Sequence, residues 1–161
     1  MLYFWICLQL WYNIITNKNE LRIKFKQVRK DILDKNNQSE IIYQKIINNK
    51  CVNKCDTVLL YSSLNDEVDT FKMINYFLKH KKVALPRVRG NDMDFYYIKS
   101  VDELKKGSFD ILEPTSNDKV TSNNCVCIVP GICFDKNGIY HLFMVMTIIF
   151  FYLGNKCFFK K

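Results

Sequence analysis

A chain of 161 residues is long enough for one domain with its own core, and 48% apolar with 14% aromatic content excludes a disordered polymer. The formal net charge of +8 suits a polyanionic partner: nucleic acid, a phosphorylated nucleotide or a polyglutamylated cofactor. The lysines are spread along the chain without a long basic block, however, and a solvated basic surface is the plainest account of them.

The cysteines number seven, an odd count, and none shows a paired metal-site spacing. Cys51 and Cys55 sit in a polar Asn/Lys stretch, and Cys125 and Cys127 alternate along an expected strand. His80 and His141 complete no Cys/His cluster, so the thiols read as reduced, small hydrophobic groups and no zinc site is expected.

Met1 to Ile15 is nearly all apolar, broken by Gln9 and Asn13. It lacks a basic start and a small-residue cleavage site, and it is short for a spanning helix. A targeting segment, a core-packing extension and a wrongly placed start codon all fit it. From Asn19 to Leu33, Leu21, Phe25, Val28 and Ile32 recur at helical spacing, opposite Arg22, Lys24, Lys26, Arg29 and Lys30. The spacing predicts an amphipathic basic helix. The segment from Asp34 to Asn37 breaks the pattern, and Ser39 is expected to cap a second helix running through Ile42, Ile46 and Ile47.

Thr57 to Tyr61 reads as a buried strand, followed by the polar stretch Ser62 to Thr70. Thr70 opens a helix with the buried stripe Met73, Ile74, Phe77 and Leu78, and Val83 to Leu85 is a second strand closed by Pro86. This β-α-β spacing implies a parallel crossover. Met93 to Ile98 is a further strand behind a Gly90-Asn91-Asp92 turn. Val101 to Lys106 is a short helical piece, and Phe109 to Pro114 is extended. Cys125 to Val129 is another strand, ending at Pro130-Gly131. The fold class is therefore α/β: a single three-layer domain with a mostly parallel sheet.

Lys18 and Arg22 lie four apart on one side of the first helix and suit an anionic ligand, although a solvated basic face reads the same way. Asp66, Glu67 and Asp69 crowd three carboxylates behind a strand, which a ligand, a cation or full hydration would make tolerable. Capping of the next helix by Asp69 or Thr70 is the simpler use of such residues.

Taken together, Lys18-Asn19-Glu20-Leu21-Arg22, Glu67-Val68-Asp69-Thr70, Leu85-Pro86-Arg87, Ile111-Leu112-Glu113-Pro114, Val129-Pro130-Gly131 and Phe134-Asp135-Lys136-Asn137-Gly138 resemble, in order, the blocks of the 5-formyltetrahydrofolate cyclo-ligases. The resemblance implies ATP-dependent cyclisation of 5-formyltetrahydrofolate to 5,10-methenyltetrahydrofolate, with ADP and phosphate released and Mg²⁺ on the nucleotide. It places Lys18 and Arg22 on the ATP phosphates, with Arg22 also near folate, and Ser62 and Glu67 on the pterin. Asp69 and Thr70 would fix the helix start. It further implies a cytoplasmic monomer acting on a small molecule, with or without a polyglutamyl tail, and neither a nucleic-acid nor a firm membrane partner.

The likeness breaks at Gly138. The family continues there with Arg-Leu-Gly-x-Gly-x-Gly-Tyr-Tyr-Asp, whose amides cradle phosphate and whose Asp suits Mg²⁺. This chain instead runs through an apolar segment, Ile139 to Leu153, with no glycine before Gly154 and no acid. The expected organisation is an apolar extension over 1–17, the cyclo-ligase-like domain over 18–138, incomplete at its C-terminus, and a foreign tail over 139–161. The tail reads as a marginal membrane anchor, a buried strand or, in the explanation we favour, translated intron. Gly138-Ile139 is encoded by GGN-ATH, in which a wobble T creates the GT of a splice donor, and the Phe, Ile, Tyr, Asn and Lys that follow belong to A/T-rich codons. An impaired or inactive family member follows from that reading. A basic non-enzymatic module that binds nucleic acid or an anionic membrane is the alternative from another class.

Overall fold

The computed structural model describes residues 20–107, 110–131, 150–153 and 156–158. The chain divides into two compact units, one made of Met1–Leu33, Gly131–Val145 and Lys161, the other of Asp34–Pro130 and Met146–Lys160. In the first, residues 20–30 form helix α1, so the predicted helix ends before Ile32. Leu21 and Phe25 are half-buried, but Val28 and Ile32 are exposed, so the apolar stripe read from the sequence is covered only in its first half.

The second unit begins with α2 (Lys35–Ile47) and α3 (Lys50–Lys54), then β1 (Thr57–Leu59), α4 (Phe71–Leu78), β2 (Lys82–Arg89) and β3 (Asp92–Ile98). A 3₁₀ turn at Val101–Glu103 leads to β4 (Leu104–Lys106), β5 (Leu112–Pro114) and β6 (Asn124–Cys127), with β7 (Phe150–Leu153) and β8 (Lys156–Phe158) from the tail. The main sheet has the order β3-β2-β1-β6-β7-β8, and β4 pairs with β5 separately. At its centre β1 runs parallel to both β2 and β6, with Val58 in register with Val83 and Val126. The β2–β3 hairpin and the β6–β7–β8 meander add antiparallel strands on either side. The α/β class expected from the sequence, with its parallel β1-α4-β2 unit, is the class observed.

Alternation along the strands sorts the core. Val58, Leu60, Val83, Leu85, Ile98, Val126 and Ile128 share one cluster with Tyr43 of α2, Val52 of α3, and Met73, Ile74 and Phe77 of α4. Leu59, Ala84 and Cys125 belong to a second, smaller cluster, packed with Phe95, Tyr97, Val120 and Cys127. Burial on both faces explains why β1 reads as a continuous apolar run. Lys72 of α4 pairs with Glu40 of α2 and lies 4.5 Å from the centroid of the Tyr43 ring, which joins the two helices.

Several sequence expectations are corrected. Asp34, not Ser39, caps α2: its carboxylate accepts from the Asn37 amide, so the helix starts five residues earlier. β2 continues through Pro86 to Arg89. The Ala84 carbonyl accepts from Leu60 N, so the nitrogen of Pro86, two residues on, faces the same side beyond the end of β1 and forfeits no ladder bond. The piece from Val101 to Lys106 is a 3₁₀ turn followed by a strand, because Lys105 pairs with Glu113 across β4 and β5. Among the described residues no helix is long and apolar enough to cross a membrane. The tail residues 150–153 and 156–158 are strands.

Candidate active site

β1 and β6 lie side by side and end together, with Ile128 N donating to Leu59 O at 2.8 Å. Carboxyl ends of neighbouring parallel strands are where an open α/β sheet offers a ligand crevice. Beyond β1 the chain makes a loop from Tyr61 to Thr70 that is tied across its base. Thr70 Oγ1 donates to Tyr61 O at 2.6 Å and accepts from Ser63 N at 3.1 Å, while Ser63 Oγ accepts from Thr70 N at 3.2 Å. Thr70 is fully buried, so these bonds run where water cannot replace them.

The lobe so closed carries both residues expected to touch the substrate. Ser62 is buried where the strand ends, and its hydroxyl enters no hydrogen bond among the described residues. Glu67 folds back on the lobe: its Oε2 accepts from Leu64 N at 3.0 Å, and its own amide donates to Leu64 O at 3.0 Å. It does not cap α4. Asp69 does, accepting from Phe71 N at 2.8 Å, whereas the Thr70 side chain makes no cap bond because it is engaged with Tyr61 and Ser63. Backbone amides on Glu67 and Asp69 thus help the turn tolerate its crowded carboxylates.

Ser63 and Ser39 are the residues that sequence reasoning missed. Ser39 Oγ, half a helix from the cap position assigned to it, accepts from Asp69 N at 3.2 Å and moors the lobe to α2. A Ser-Ser pair between a strand and a Thr before a helix is a weak sign of such a clamp, and nothing in the sequence joins Ser39 to Asp69. Arg22 is half-buried on α1, in the other unit, and Lys18 lies outside the described residues, as does everything from 132 to 149.

Cys55, Cys125 and Cys127 are not set up as nucleophiles. Burial, with Cys125 adding to it, pushes Cys127 up to about 12, and burial likewise raises Cys125 and Cys55. Among the described residues no three potential metal ligands come together.

The model of the 5-formyltetrahydrofolate cyclo-ligase family matches residues 14–139. The chain belongs to that family. It is 28% identical over 134 residues to the mouse 5-formyltetrahydrofolate cyclo-ligase, a match covering 75% of this chain and 66% of that protein. The solution structure of 5,10-methenyltetrahydrofolate synthetase from Aquifex aeolicus superimposes with a TM-score of 0.70 at 30% identity, covering 80% of this chain and 68% of the other. The match to the mouse cyclo-ligase therefore spans just under two thirds of that protein's length. The cyclo-ligase match encloses Lys18, Arg22, Ser62 and Glu67 and stops one residue past Gly138, where the sequence pattern breaks.

Proposed function

We propose that this cyclo-ligase family member is built for the ATP-dependent closure of 5-formyltetrahydrofolate to 5,10-methenyltetrahydrofolate. The observation that carries the reading is the clamped lobe at the end of β1, whose loop carries both Ser62 and Glu67. A reduced pterin presents N–H donors. A carboxylate such as Glu67, whose Oε2 accepts from the Leu64 amide, is the acceptor suited to them. Ser62 adds a hydroxyl from the same loop. Lys18 and Arg22 bring positive charge for the nucleotide phosphates.

The γ-phosphoryl group passes to the formyl oxygen and ADP leaves. N10 then attacks the formyl carbon, the carbon–oxygen bond breaks, phosphate departs and the N10 proton goes to solvent. The part of the protein is to hold the two substrates in register and to neutralise developing phosphate charge. Mg²⁺ would travel with the nucleotide; the described residues form no cluster fit to hold it, and no step is assigned to a protein-bound metal. The reading takes the protein as a cytoplasmic monomer. It also takes the chain as written to be impaired, because 139–161 lacks the glycine-rich phosphate loop.

The test joins residues 1–138 to the corresponding C-terminal segment of the mouse relative. The fusion should form methenyltetrahydrofolate, followed by its absorbance, with one ADP released per turnover. A folded fusion that binds neither 5-formyltetrahydrofolate nor ATP would overturn the proposal, and one that binds both without turnover would mark an inactive family member.

A further inference from the structure

The active-site reading draws on the carboxyl ends of the parallel strands and leaves a basic cleft at their amino ends unexplained. This cleft has a volume of about 640 Å³ and is walled by Lys81 and Lys82 at the start of β2, Tyr97 and Lys99 at the end of β3, and Asp118 and Ser122 of the segment before β6. The volume falls within the range of small-molecule sites, roughly 300–1,000 Å³. Three ammonium groups face it against one carboxylate, and none of these four groups is in an ion pair among the described residues.

The placement of the lysines is costly without a counter-charge. The β2–β3 ladder ends with Val83 opposite Ile98, and Lys82 and Lys99 lie next to that last pair, one on each chain segment. Like charges brought near one another at the end of a ladder repel. Lys82 Nζ leans towards the ring of Tyr97, 5.7 Å from its centroid, rather than towards an acid. Lys81 is fixed at the cleft by donating to the carbonyls of Asn53 and Cys55, so its charge is positioned but not neutralised. Ser122 Oγ accepts from Asn124 N at 3.2 Å, which leaves its own proton to donate.

We propose that this cleft is a second binding site, for a multivalent anion carrying phosphoryl or carboxylate groups. A monovalent anion would meet one of the three lysines that line the cleft and leave the others unmatched. A chain of anionic groups can meet all three. The site stands apart from the lobe at the far end of β1 and does not depend on the activity proposed above.

The test titrates the full chain with inorganic tripolyphosphate and, separately, with triglutamate, following backbone amide resonances. Saturable shifts at Tyr97, Lys99 and Ser122 are expected with at least one of the two, and whichever binds identifies the anion class. Since a hydrogen bond to a charged group is worth roughly 1.5–3 kcal/mol, the double variant Lys82→Gln/Lys99→Gln should weaken binding by about tenfold or more. Lys35→Gln/Lys45→Gln, which removes the same charge from α2, should leave it unchanged. Lys82 and Lys99 are exposed, so their variant should keep the wild-type melting temperature. Equal weakening in both variants, or no saturable shift with either anion, would overturn the site.

Discussion

At the scale of single residues, Glu67 tests the binding role proposed for the lobe, and Thr70 tests its support. Glu67→Gln replaces a charged acceptor by a neutral amide, which in an active form of the enzyme should weaken folate by about tenfold to a hundredfold and ATP little. Calorimetry with each ligand checks this, and equal losses for both would detach Glu67 from the pterin. Thr70→Val removes a buried hydroxyl that donates to the Tyr61 carbonyl and accepts from the Ser63 amide. Unfolding in urea should show a loss of about 1–3 kcal/mol. The thiols make a pH prediction. Cys127 is raised from 9.0 to about 12 in the folded state, so the stability it contributes is complete below pH 9 and is lost as pH rises towards 12. Site-resolved alkylation at pH 8 should therefore modify Cys127 far more slowly in the native protein than in urea.

At the scale of elements, the lobe is only as well placed as the strands and helix that carry its ends. Phe77 of α4 is fully buried in the cluster shared with β1 and β2, and Phe77→Ala should cost about 3–5 kcal/mol, measured by chemical unfolding. The β2–β3 hairpin turns at Gly90-Asn91 with positive φ, +62°, at Gly90 alone, which is the arrangement of a type II′ turn. Ahead of that turn β2 is held by Arg87, which lies 3.8 Å from the Tyr96 ring centroid and donates to the carbonyls of Pro114 and Ser116. Arg87 was visible in the sequence only as part of a matching block; its grip on the 114–117 segment is a product of the fold.

For the molecule as a whole, the tail decides the outcome. Without glycine amides around the phosphates, the developing charge of phosphoryl transfer loses contacts normally worth several kcal/mol, and turnover should fall by orders of magnitude. Purified residues 1–161 with 5-formyltetrahydrofolate, ATP and Mg²⁺ should give no methenyltetrahydrofolate above the uncatalysed background. Reverse-transcribed message should include a spliced form joining Gly138 to a glycine-rich continuation. Clear turnover by this chain, or messages that all encode Ile139 to Lys161, would reject the translated-intron proposal.

The sequence by itself determined the α/β class, the order of its core elements and the family, because apolar periodicity and short ordered blocks are local signals that survive without neighbours. Through the family resemblance those blocks also pointed to Ser62 and Glu67, whereas the polar turn alone reads as well as a helix start. The tertiary structure decided how that turn is held: Ser63 against Thr70, Ser39 against Asp69, and Glu67 on the Leu64 amide. It also decided that Pro86 lies within a strand and that Lys82 and Lys99 line one cleft. Each of these joins residues through the register of separate elements, and register is set by packing on the sheet, not by any residue alone.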